Sequence, residues 1–251
     1  PFRQRQYEGL RTGAQKELLD RLGPIAGDLT TGSTVQGQIA ANVERGGVIE
    51  DGMWDQMRSL MPGTKATPTT MTDWADDVLR RADEGLSTVQ DSKSLALAEQ
   101  IIKKSTTTAN GVREVHSIPI DQMDLWRKDI GNILKKTELI SGFDAGRLTH
   151  LYGNLMDDME AGINLAGNQP LMDSWRGVRE FSGNLRSQYR SGPVAKVLDL
   201  TPEQVVQKVS GKDATEIAEW KSAILGDFDP RMGAPDAHAQ EAWNLTRRHI
   251  F

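Results

Sequence analysis

Residues 123–139, MDLWRKDIGNILKKTEL, and 146–165, GRLTHLYGNLMDDMEAGINL, decide the fold of this chain. In the first stretch Met123, Trp126, Ile130, Ile133, Leu134 and Thr137 recur at spacings of three and four. That spacing puts them on one face of a helix with about 3.6 residues per turn. Lys128, Asp129, Lys135 and Lys136 occupy the opposite face. In the second, Leu148, Leu151, Tyr152, Leu155, Met159 and Ile163 form the apolar stripe, while Asp157, Asp158 and Glu160 gather on the polar side. The break between them, ISGFDA at 140–145, is so short that the two stripes pack most easily antiparallel. The reading is an all-α protein, an elongated multi-helix bundle built around an antiparallel helical hairpin.

Downstream of the hairpin, Leu171, Trp175, Val178, Ser182, Leu185 and Tyr189 line one side of a third long helix, from Gln169 to about Tyr189. Ser191-Gly192-Pro193 ends it. Thr201-Pro202-Glu203-Gln204 reads as an N-cap followed by proline at the first helical position and a carboxylate in the first turn. Two more helices follow, over 213–225 and 235–250. Upstream, Leu10, Ala14, Leu18 and Leu22 predict a helix over 4–22 stopped by Gly23-Pro24. The polar, glycine-rich stretch 27–37 reads as a loop. A short helix through Ile39 and Val43 should end at Gly46-Gly47, and another should span 51–61.

Residues 64–70 read as a Thr/Pro linker, and Thr70 with Asp73 as a capping box for the helix carrying Trp74, Val78 and Leu79. A helix over 91–104 ends in Lys103 and Lys104, which suit the negative end of its dipole. The β-branched stretch 105–118, with Asn110-Gly111, is a loop or a small β-hairpin and the clearest boundary. The sequence thus predicts about nine helices, in an N-terminal helical region over 1–110 and a C-terminal helical bundle over 111–251.

Composition narrows the function. At 251 residues the chain can bury a core, yet its hydrophobic fraction of 37% is low against roughly 45–50% for ordinary globular domains on a count that includes glycine. Charged residues make up 26% and mean hydropathy is −0.50, which suggests thin helical layers or surfaces completed by other subunits. A net charge of −5 argues against a protein built as a whole around nucleic acid. With no cysteine, disulfides and thiolate metal sites are excluded. No run approaches the roughly 18 apolar residues of a membrane span. The opening Pro1-Phe2-Arg3, without initiator methionine, suggests a processed product or a fragment of a longer chain.

Candidate chemistry is sparse. His116, His150, His238 and His249 have no ligand spacing, so no metal and no cofactor is expected. Asp157, Asp158 and Glu160 offer carboxylates for sugar-polymer cleavage, but acid catalysis needs a carboxyl in an apolar pocket, and these three read as a solvated helix face. Ser210-Gly211-Lys212 lacks the upstream glycine of a phosphate loop. The Asp227-Phe228-Asp229-Pro230 cluster fails the spacing of a calcium loop. No catalytic residue is assigned, and the chain is not expected to be an enzyme. The one charged feature with geometry is Arg176, Arg179, Arg186 and Arg190, on a common side of the third helix, a stripe suited to phosphates or to carboxylates of a neighbouring subunit. The six tryptophans, each on or beside an apolar stripe, read as one large core anchor per helix.

The order MDLWRKDIGNILKK, LTHLYGNLMDDMEAGI, a helix ending in QYRSG and then LTPEQVVQKV resembles the internal virion proteins of tailed bacteriophages, the ejection or DNA-transfer proteins. RTGAQKELLDRLG, TTGSTVQGQIAANV and MWDQM in the opening half are similar to them as well. The resemblance covers most of the chain through packing patterns and includes no catalytic signature. It implies a largely helical protein packaged in the virion interior near the portal, which leaves at infection and helps form a conduit across the host envelope. Its implied partners are copies of itself and other virion proteins, with DNA and a transient host-envelope contact beyond them, and no small-molecule substrate.

Overall fold

The computed structural model describes residues 27–85, 93–110, 112–134, 142–210 and 212–250. Among them are nine α-helices and two small antiparallel sheets, so the all-α expectation holds. The helix expected over 4–22 lies outside the described residues. The helices are α1 (Asp28–Leu60), α2 (Thr69–Asp83), α3 (Lys93–Ser105), α4 (Ile120–Leu134), α5 (Gly142–Ala166), α6 (Gln169–Arg186), α7 (Pro202–Val209), α8 (Ala214–Leu225) and α9 (Ala237–Ile250). The strands are β1 (Lys65–Ala66), β2 (Thr106–Ala109), β3 (Val112–Val115) and β4 (Ile118–Pro119).

The described residues form two compact units, one between Trp54 and Gly177 and one that joins those up to Met53 with those from Val178 onward. This corrects the division at residue 110. Strand β1 pairs with β4, Lys65 opposite Pro119 and Ala66 opposite Ile118, and the Ile120 amide donates to the Thr64 carbonyl at 3.1 Å. Residues 64–70 are therefore no linker. They are tied across the boundary they were expected to precede.

In the unit from Trp54 to Gly177 the expected hairpin is present. Helices α4 and α5 pack together, burying Met123, Trp126 and Ile130 on one and Leu148, Leu151, Leu155, Met159 and Ile163 on the other. Helix α2 joins them through Met71, Trp74 and Val78, and α3 through Ala98 and Ile101. Gly162 of α5 lies so close to Ala66 that any Cβ there would collide with it, which is how β1 reaches the core. Trp54 meets Trp175 edge to face at 6.1 Å between ring centres. Strands β2 and β3 form the small hairpin, with Thr106 opposite Val115 and Ala109 opposite Val112. Asn110 turns it with φ of 53°, a backbone that asparagine tolerates better than most residues.

Helix α1 corrects the reading of residues 27–61. No loop or break occurs there, because α1 runs unbroken over 33 residues through Gly32, Gly37, Gly46, Gly47 and Gly52. Glycine lowers helix stability but lets another backbone approach. A Cβ on Gly32 would strike the Pro202 carbonyl, and one on Gly46 would strike the Leu185 side chain. These two glycines serve packing, not chain reversal. Val35 and Ile39 then join Tyr189, Val194, Val205, Val209, Trp220 and Ile224 in one core. Phe228 bridges Phe181 and Tyr189, at 6.2 and 5.5 Å between ring centres.

Candidate functional site

Of the four buried acids among the described residues, Asp124, Asp144 and Asp158 lie in the unit from Trp54 to Gly177, and the last two hold helix starts. The first four N–H groups of a helix have no partner within it, and a carboxylate placed there satisfies them and complements the dipole. Asp158 of α5 accepts from the backbone N–H of Thr70 at 3.1 Å and Met71 at 2.9 Å, the first turn of α2. Asp144, fourteen residues earlier on the same helix, accepts from the N–H of Lys93 at 3.1 Å and Ser94 at 3.2 Å, and from the Ser94 hydroxyl. One helix therefore caps two others. Both aspartates are buried, at 4% exposure each.

Two expectations change here. Thr70 and Asp73 form no capping box; Pro68 stands at the N-cap of α2 with no side-chain cap bond, and Asp158 does the work from across the core. Asp158 also leaves the solvated face assigned to it with Asp157 and Glu160. Burial pushes its carboxyl above the usual aspartate range, against the lowering effect of the Met71 and Thr70 amides. A raised carboxyl is what a general acid needs. Both oxygens of this one, however, are engaged by main-chain amides.

A third buried acid, Asp124 on α4, accepts from Arg58 Nε at 3.0 Å and Arg127 Nε at 2.7 Å, with Lys128 Nζ at 3.6 Å. The Arg127 guanidinium also lies 3.4 Å from the centre of the Trp54 ring. Paired on both oxygens, Asp124 ties the end of α1 to α4.

An open groove of about 690 Å³ runs between α2 and the first half of α5. Trp74, Val78 and Phe143 supply its apolar lining, and Asp73, Asp77, Arg81, Arg147 and His150 its charges. Burial alone would raise Asp77, but bonds from Arg80 at 2.6 Å and Arg81 at 2.7 Å outweigh it and hold the carboxyl below the usual range. Phe143 is 63% exposed, with the Arg147 guanidinium 5.0 Å from its ring centre. Carboxylates and guanidiniums balance, so the groove suits an amphipathic segment better than an ion.

The arginines Arg176, Arg179, Arg186 and Arg190 are all exposed. Arg176 lies 3.9 Å from Asp173 within the first unit, whereas the other three belong to the second. Next to them Glu180 receives Arg231 at 3.2 Å, and Asn184 donates to the buried Asp229 at 3.3 Å. Of the histidines, His116 bonds the Lys104 carbonyl at 3.1 Å, and His249 bonds Thr31 at 3.2 Å with Asp28 at 3.6 Å. Among the described residues no three His, Asp or Glu side chains gather as metal ligands, and no helix is long and apolar enough to cross a membrane.

Sequence reasoning did not single out Asp144 or Asp124. No local signal marks Asp144, whose partner Lys93 stands 51 positions away, whereas Asp124 had a helical-spacing signal in Arg127 and Lys128 beside its distant partner Arg58. No family model, no curated protein and no solved structure matches this chain.

Proposed function

We propose that this chain is a non-catalytic structural subunit, an internal virion or ejection protein of a tailed bacteriophage. In this reading it assembles near the portal with copies of itself and other virion proteins, then helps form the conduit that delivers the genome across the host envelope. The supporting observation is the use of its buried acids: Asp144 and Asp158 hold helix starts, and Asp124 is paired with two arginines. Acids placed this way build a scaffold, and Asp229, the fourth buried acid among the described residues, likewise accepts from the Arg231 amide and from Asn184. The exposed Arg179, Arg186 and Arg190 then supply cations for DNA phosphates or a neighbour's carboxylates.

Light scattering and filter binding test this reading. The double variant Arg179→Glu/Arg186→Glu should lose assembly or DNA association while its circular dichroism spectrum stays that of the parent. Zymography on purified murein supplies the opposing outcome. Clearing that disappears on Glu160→Gln would make the chain a cell-wall lytic enzyme and end the structural reading.

A further inference from the structure

We propose that the outer edge of β2 is a strand-addition site for a second copy of this chain, giving a four-stranded sheet in the order β3-β2-β2-β3. The inference rests on the reading that the chain assembles with itself, and it names the surface. A two-stranded hairpin in water is marginal without a third strand or a covering layer. Here Thr107, Thr108 and Ala109 of β2 and all four residues of β3 are exposed, so neither sheet face is covered over its length. The hairpin is nevertheless fixed in place. Thr106 Oγ1 donates to the Ile102 carbonyl at 2.8 Å, the His116 amide donates to the Ser105 carbonyl at 2.9 Å, and Arg113 pairs with Asp76 of α2. The scaffold therefore presents an ordered ladder whose free side carries unpaired N–H and C=O groups.

Charge and symmetry decide which edge is used. Among the described residues β2 pairs with β3 alone, so each strand has one open side. Proteins guard such edges with lysine, proline or a bulge. The sequence of β2, Thr-Thr-Thr-Ala, contains no charge and no proline, and threonine favours extended backbone. Two identical strands that pair antiparallel are related by a twofold axis normal to the sheet, which keeps each side chain on its own face. Residues that oppose one another must then match in parity, and a residue at the centre meets its own copy. Across β3 this sets Arg113 on Arg113 or Glu114 on Glu114, which repel. Across β2 it sets Thr107 on Thr107 or Thr108 on Thr108, which do not.

Sedimentation velocity on the full chain over a range of concentrations tests the proposal. Wild type should self-associate, and Thr107→Lys/Thr108→Lys should weaken the association constant about tenfold by setting lysines against lysines. An equimolar mixture of that variant with Thr107→Glu/Thr108→Glu should regain wild-type association, a recovery that misfolding could not mimic. Glu114→Lys, on the strand not used, should leave the constant unchanged. If wild type stays monomeric at its highest soluble concentration, both this inference and self-assembly fall. If it associates but the lysine variant does so equally well, or the mixture shows no recovery, or Glu114→Lys is as damaging, only the β2 edge is overturned.

Discussion

The two units close their helix ends by different means. In the unit from Trp54 to Gly177, α2 and α3 start on carboxylates delivered by a third helix, Asp158 and Asp144. In the other, the caps are local. Thr201 accepts from Gln204 N while the Gln204 side chain returns to the Thr201 amide, and Asp213 accepts from Thr215 and Glu216 at 2.9 Å each. A buried long-range cap there is neutral and at a C-terminus. The buried Asn42 amide donates to the carbonyls of Ala223 and Ile224, both at 2.9 Å, and Tyr189 donates to Ala223 at 2.9 Å. A local cap stabilises its own helix whether or not the core has formed. A delivered cap exists only after the tertiary fold does, so α2 and α3 should lose their starts together with the packing of the first unit.

That contrast sets the expected order of effects. The largest should follow Asp144→Ala/Asp158→Ala, which leaves four main-chain amides, two of them buried, without acceptors on two helices. About 3–5 kcal/mol should be lost in denaturant unfolding, nearly additively because the sites are separate. Hydrogen exchange should speed first at Thr70, Met71, Lys93 and Ser94; if those amides stay protected, the capping role is wrong. Next, Asn42→Ala should cost about 1–3 kcal/mol by leaving two carbonyls and a half-buried arginine bond unsatisfied, with faster exchange confined to the unit that contains α8. Thr201→Ala should cost about 1 kcal/mol, an ordinary local cap. Asp77→Asn, at a carboxylate that is 46% exposed, should cost at most about 0.5 kcal/mol.

Acid titration sharpens the same contrast. Asp158 is raised by burial, so its contribution is fully present below the free-aspartate value of about 3.9 and declines as pH climbs through the raised value. Asp158→Asn should therefore gain on wild type in thermal melts as pH increases through that window. Asp77 is lowered, so its smaller contribution is present above the free value and fades as pH falls. A D158N difference that does not move with pH would show that the buried carboxyl titrates as in water.

Which parts were legible follows from the range of the forces. The α4–α5 hairpin was readable because Met123, Trp126, Ile130, Leu148, Leu151 and Leu155 repeat with the helical period itself. The Thr201–Gln204 box was readable because cap and amide are three residues apart. The Thr70–Asp73 box misled for the complementary reason, since the same local pattern was displaced by Asp158, 87 positions from Met71. The break read at Gly46-Gly47 rested on propensity alone. Propensity cannot register that Leu185 takes the space a side chain would fill. Of the candidate surfaces, the arginines on α6 were visible as charge, whereas the groove between α2 and α5 needs two helices brought together and has no linear signature.

The glycine content of α1 bears on the order in which the chain matures. Each such residue weakens an isolated helix by about 1 kcal/mol relative to alanine, and this segment contains five. Its neighbours, Leu185, Pro202 and Ala223, are translated some 140 to 180 positions later. During synthesis the N-terminal arm should therefore wait as a loose coil for the ribosome to finish its cradle, and a nascent chain arrested before residue 202 should expose it to proteases.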